Sequence, residues 1–417
     1  MKIAKGLLLS PERNFWFGAV AVAVSFFAFA YSTRFGQLLI LVYYAFWLPL
    51  VIVDQRRFVD IFVKSWWILG FALFACLSAF WSAAPGSSLR GGVQYLSHVV
   101  CALIAARVLH IRTLALGGLS GIALVLAYSL ADGTHSYDPL DGAYSLVGAF
   151  SSKNQLGFFA SVGIYLAYAA LVPLRERSLW GIFALVVGAL SAYCLLASQS
   201  ATSIIAVAVV LAACLCLRAM LHFTPLVRRF VFLFGIALAL TGAFVAFNLG
   251  AFDALLGVFG KDATLTGRTY LWSEGMAAFR EHPIFGVGYQ AYWVQGFADA
   301  ERLWEEFFIE TRTGFHFHNT FIETLVELGL LGLLLLIPIF WSSLFPPLGR
   351  AVSDRRDLQA HILFGFGILL VVRSAVEVDV INPYIIGSFL LYYSVGSLAG
   401  SGRRDIVAAP VLRATQH

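Results

Sequence analysis

The chain has 417 residues, 60% of them hydrophobic and only 12% charged, where a soluble domain carries about 45–50% apolar and about 25% charged residues. With a mean hydropathy of +0.83, it has more apolar surface than a soluble core buries. This excludes secreted disulfide domains, disordered chains and nucleic-acid binders, and marks a polytopic membrane protein. The net charge is +5, and in a membrane protein its placement says more than its sum. The five cysteines (Cys76, Cys101, Cys194, Cys214, Cys216) all lie in apolar runs and read as small core residues rather than a disulfide or zinc set.

A membrane-crossing helix needs about 17–25 apolar residues. Twelve runs qualify, near 15–31, 36–53, 65–82, 92–110, 112–131, 155–173, 179–197, 203–221, 230–251, 322–345, 359–376 and 383–400. The first has no small-residue cleavage site before it, so it is expected to be a retained span. The alternating pattern of a barrel is absent, so all twelve are expected to be helices. Threading the chain through them puts 19 of the 28 Lys and Arg residues on one side and 9 on the other. The richer side is expected to face the cytoplasm, with both termini. Residues 252–321 then form one large extracytoplasmic loop domain, between spans 1–9 (1–251) and spans 10–12 (322–400). The tail 401–417 is cytoplasmic.

Candidate chemistry lies on the outer side. Lys153 and Asn154 precede the sixth run, and Ser200 and Thr202 sit where the seventh gives way to the eighth. These two clusters read either as capped helix ends or as the polar floor of a site. In the large loop, Arg268 opens a helical-looking stretch to Arg280, suited to gripping a phosphate with its planar fork; the plain alternative is an anchor to lipid head groups. A Pro/Gly-marked turn follows (His282-Pro283 and Gly286-Val287-Gly288), then an acidic, aromatic stretch from Glu301 to Glu306.

At the far end of the loop Asn319 is a natural N-cap, which places His318 beside a helix start. A neutral imidazole there suits a general base, although it could simply pack the loop, and His316 competes for the role. Arg373 and Glu377 lie four residues apart near the end of the eleventh run and are expected to pair on one helical face. There is no carboxylate pair with metal spacing, no Walker loop and no strand-borne GxGxxG. A nucleotide-driven pump and a metal-dependent nucleotide-sugar transferase are therefore disfavoured. No cofactor and no metal site is expected.

The run from His318-Asn319 through nine further residues to Gly329-Leu330-Leu331-Gly332 resembles the signature of the O-antigen ligase and polymerase superfamily. Arg268 with Trp272 one turn on, and HPIFGVGYQAYW with its HP-x-x-G-x-G start, add to the likeness. GAFSSKNQLG, SQSATS and GRTYLW followed by GVGYQAYW look more like the exopolysaccharide polymerase branch than the ligases, which generally carry an Arg where SQSATS stands.

The resemblance implies an all-α, GT-C-like membrane glycosyltransferase of the inner membrane. It would move glycan from an undecaprenyl-pyrophosphate carrier to an acceptor hydroxyl on the periplasmic side, without metal, inverting the anomeric carbon. The acceptor is another lipid-linked glycan in a polymerase and lipid A–core in a ligase. A flippase and a chain-length regulator are the further partners implied. Under this reading His318 and Arg268 are catalytic. Lys153, Asn154, Ser200, Thr202, Tyr289, His316, Asn319, Arg373 and Glu377 line the substrate. The competing reading is a polytopic transporter or flippase, but the outer-end clustering of charges and the unlike halves of the chain favour the enzyme.

Overall fold

The computed structural model describes residues 5–399 apart from 65, 139–142, 225, 229, 232–233, 236–240 and 242–266. The expected ninth run, 230–251, lies largely outside the described residues, as does the start of the large loop.

The described chain is almost wholly helical. After a short α1 (Lys5–Leu9) come α2 (Phe15–Phe35), α3 (Gln37–Val53), α4 (Gln55–Lys64), α5 (Trp66–Leu77), α6 (Pro85–Val108) and α7 (Ile111–Asp132). Then follow α8 (Lys153–Leu171), α9 (Leu179–Ala197) and α10 (Ala201–Met220). Beyond the undescribed stretch lie α11 (Arg268–Glu281), α12 (Ala298–Glu306), α13 (Thr320–Ser353), α14 (Leu358–Ser374) and α15 (Ile386–Ala399). Seven of these are long and apolar enough to cross a membrane, and four shorter stretches are also apolar. Each of the other expected runs overlaps one of them.

Some boundaries differ from the sequence expectation for local reasons. Helix α6 begins at Pro85, well before the run expected from 92, because proline at the first helical position sacrifices an N–H that would be unpaired anyway. The acidic stretch expected only as a feature of the loop is helix α12. Between α7 and α8 the chain carries a hairpin, β1 (His135–Asp138) antiparallel to β2 (Ala143–Leu146), with His135 opposite Leu146.

Small residues let the spans approach closely. A Cβ added at Gly117 of α7 would meet Ala19 of α2 at 2.7 Å, and one at Gly121 would meet Ala23 at 2.9 Å. Where lipid is as apolar as the side chains, such backbone proximity is what holds helices together. The large loop adds a second apolar cluster that includes Leu271, Tyr292, Trp304, Phe317 and Val326. Arg302 of α12 ties it to α11 through Glu274, and also pairs with Glu306 one turn on in its own helix.

One feature positions the site. Helix α13 is broken at Gly329, whose φ is +64°. The break frees backbone groups in the apolar interior, where each unpaired one is costly. The segment Pro283–Gly288 satisfies them. Val287 and Gly288 donate their N–H groups to the carbonyls of Val326 (3.0 Å) and Glu327 (2.8 Å). In return Leu330 and Leu331 donate to Pro283 (2.9 Å) and Ile284 (3.3 Å). The large loop is thereby fastened to the helix whose N-terminus follows His318.

Candidate active site

Asn319 caps α13 as expected, its Oδ1 accepting from the N–H groups of Phe321 (2.9 Å) and Ile322 (3.1 Å). Its Nδ2 donates to the Ala375 carbonyl at 2.9 Å, and Thr320 Oγ1 donates to the Glu377 carbonyl at 2.8 Å. The segment after α14 is therefore held against the start of α13, with Glu377 beside His318. The side chains meet: His318 Nδ1 lies 3.2 Å from Glu377 Oε2. His318 sits at φ +51°, a left-handed conformation that a non-glycine residue holds only under constraint.

Glu377 is the centre of the cluster. It is 4% exposed. Its Oε1 accepts from Arg268 at 2.6 Å and from Asn154 Nδ2 at 2.9 Å. Burial opposes ionisation, but the Arg268 guanidinium and His318 outweigh it and hold the carboxyl well below its usual range. Arg268 opens α11 and also donates to the Val376 carbonyl at 2.7 Å. Trp272, one turn on, donates to the Phe317 carbonyl at 3.0 Å, tying α11 to the histidine loop. His316 packs against His318, ring centroids 4.3 Å apart, and its Nδ1 accepts the His318 N–H at 3.1 Å. Desolvation, then the neighbouring His318, pushes the His316 imidazole down to about 3, so it is neutral near pH 7.

The expected Arg373–Glu377 pair does not form. Helix α14 ends at Ser374, so the two residues do not share a helical face. Arg373 is 1% exposed and donates instead to Asp379 (2.5 Å) and Ser203 (2.7 Å), with its guanidinium 4.1 Å from the Phe158 ring centroid. Ser203 Oγ lies 3.0 Å from Ser200 Oγ, which donates to Asn154 Oδ1 at 2.9 Å. Arg373 thus joins the cluster from behind.

Tyr289 does not join it. It is fully buried, donates its hydroxyl to the Ile381 carbonyl at 2.6 Å and packs on Tyr95. Thr202 takes no part in this hydrogen-bond chain, and Lys153 is the first residue of α8, next to Asn154. Asp379 and Ser203 were missed in the sequence. The one signal for Asp379 was its place two residues after Glu377.

Among the described residues, His316, His318 and Glu377 have ligand atoms within 4.8 Å of one another, close enough to share a metal ion. The donor set argues against it, because the Arg268 cation already sits on the same carboxylate. A cleft of about 550 Å³ lies elsewhere, lined by Trp81 and residues 281–286, and includes no member of the histidine cluster.

In this helical membrane chain, Arg268 and His318 of the large loop meet Glu377 of the segment after α14. The chain belongs to the O-antigen ligase and polymerase superfamily, whose members act in bacterial surface-polysaccharide biosynthesis. The profile of the family described as O-Antigen ligase matches residues 186–337. The chain is 54% identical over 404 residues to a protein of Rhizobium meliloti (strain 1021) described as "Exopolysaccharide production protein ExoQ", covering 97% of this chain and 93% of that one.

Proposed function

We propose that this protein is a polymerase of lipid-linked glycan units in exopolysaccharide biosynthesis, working on the periplasmic face of the inner membrane. It takes a glycan from undecaprenyl pyrophosphate and joins it to the hydroxyl of an acceptor glycan, by a single displacement that inverts the anomeric carbon and needs no metal. The observation that carries the reading is the 3.2 Å contact between His318 Nδ1 and the ionised Glu377. An ionised carboxylate only accepts, so His318 gives it the Nδ1 proton and keeps a lone pair on Nε2. That nitrogen takes the acceptor hydroxyl's proton as the glycosidic bond forms, and Glu377 stabilises the imidazolium. The leaving pyrophosphate is met by Arg268 and by the N-terminus of α11, where helix N–H groups favour an anion.

The polymerase reading is favoured over a lipid A–core ligase by the description of the relative and by the motifs GAFSSKNQLG and SQSATS. Transfer is favoured over transport because the ionisable cluster is built on the large loop and the helix ends that meet it. The test is a reconstituted assay with purified lipid-linked repeat units, alone and with lipid A–core added. Lengthened lipid-linked glycan supports the polymerase. Glycan appearing only on lipid A–core would make it a ligase, and neither product would end the transferase reading.

A further inference from the structure

Behind Glu377 a continuous chain of hydrogen bonds leads to Arg373, and the end groups fix the orientation of its amide. Arginine has N–H donors and no acceptor; an ionised carboxylate accepts only. Because Glu377 Oε1 faces Asn154, the Asn154 amide must present its NH2 there, at 2.9 Å, and turn its oxygen to Ser200, at 2.9 Å. Ser200 has one proton, which lies between that amide oxygen and Ser203 Oγ. Ser200 Oγ also faces Ser203 Oγ as donor, at 3.0 Å, and the Ser203 oxygen accepts from Arg373 as well, at 2.7 Å. Arg373, Ser203, Ser200, Asn154 and Glu377 therefore form a connected chain drawn from α14, α10, α8 and the segment after α14. Gly157 allows it: a Cβ there would come within 2.7 Å of both Ser200 Cβ and Ser203 Oγ, forcing α8 away from α10.

Arg373 is 1% exposed and its charge is met by Asp379, so it is not placed to grip a substrate phosphate. We propose that Arg373 is a positioning residue for transfer, acting through Ser203, Ser200 and Asn154 to hold the Glu377 carboxylate in the orientation that presents His318 to the acceptor. This rests on the transferase reading. The charged and titratable groups that face His318 and Glu377 are Arg268 of α11, His316 of the same loop and Asp379, behind which Arg373 stands. Losing the Asn154 donor would leave Glu377 a stronger acceptor from His318, stabilise the imidazolium and move the acid limb of the rate profile to higher pH.

The experiment measures transfer by the purified full chain with lipid-linked repeat units over a pH series, for Asn154→Ala, Ser200→Ala, Ser203→Ala and the Asn154→Ala/Ser200→Ala double variant. Ser161→Ala is the control: its hydroxyl shares this packing but donates only to the carbonyls of Gly157 and Ser203, off the chain. Each single variant is expected to lower kcat about ten- to a hundredfold with KM little changed, and to raise the acid limb by roughly half a pH unit, the scale of one hydrogen bond. The double variant should be no slower than the worse single, because links in series fail together. Ser161→Ala should match wild type. Additive losses, an unmoved acid limb, or a Ser161→Ala variant as slow as Ser200→Ala would overturn the proposal. Wild-type protein that transfers nothing would overturn the transferase reading, and this inference with it.

Discussion

His318 and Glu377 are 59 residues apart in the chain, yet their side chains meet at 3.2 Å. Two backbone fastenings account for it. The start of α13 holds the segment after α14 through Asn319 and Thr320, and the broken middle of α13 holds the large loop through Pro283–Gly288. Neither histidine nor carboxylate depends on a single flexible loop for its place, which is what a preorganised base requires.

His318→Ala should abolish transfer while leaving the fold and donor binding intact, with a loss of at least the ~10²–10⁴-fold typical of a missing general base. His316→Ala should be milder. Rates from the reconstituted assay decide between them; a dead His316→Ala beside a normal His318→Ala would move the base to His316.

His316 predicts an acid instability. Its folded-state value of about 3 lies below that of a free imidazole, about 6.5. The unfolded chain therefore binds a proton that the folded chain refuses. The stabilisation is complete above the free value and is lost as pH falls from there toward the folded one. Melting temperature followed against pH should fall more steeply in that window for wild type than for His316→Gln. Parallel curves would count against a buried neutral imidazole.

Arg268→Lys should lose most activity. An ammonium cannot hold the Val376 carbonyl and Glu377 Oε1 in the fixed fork of the guanidinium and also face a pyrophosphate. Arg268→Ala should destabilise the protein as well, by the roughly 3–5 kcal/mol of a buried ion left alone, and the double change Arg268→Ala with Glu377→Gln should recover stability without activity. Near-normal turnover of the lysine variant would show that charge alone suffices.

Arg373→Ala should be rescued in expression by Asp379→Asn and not by Glu377→Leu, because Asp379 is its ion-pair partner. Activity should stay low in the rescued protein, since the donor at the end of the Asn154 chain is gone. Detergent-solubilised yield and melting temperature read the first effect and the transfer assay reads the second.

Gly329→Ala should prevent proper folding of the loop against α13. The backbone there is left-handed, and an added Cβ would meet the Ile284 carbonyl oxygen at 2.3 Å. The conformational strain alone is worth about 1–3 kcal/mol, and the clash adds to it. A wild-type melting temperature for this variant would contradict the docking geometry.

The sequence alone determined the class of the protein. Its hydropathy compels membrane helices, since a backbone in lipid must satisfy its own hydrogen bonds. Local chemistry placed Asn319 at a helix start and Arg268 at another, because capping depends on residues a turn apart. His318, Arg268, Glu377, Asn154 and Ser200 were each legible as polar residues at helix ends. Their partners were not. The i, i+4 rule paired Arg373 with Glu377, but that rule holds only while the helix continues, and α14 stops at Ser374. Which acid each arginine meets is decided by long-range packing of α8, α10, α11, α13 and the segment after α14, where burial makes every charge and donor find a partner. The same holds for the two glycine motifs. They stand in the sequence as separate signatures, and only the tertiary structure makes them the two halves of one backbone joint, because a broken helix inside a membrane protein must be mended by whatever strand of chain lies against it.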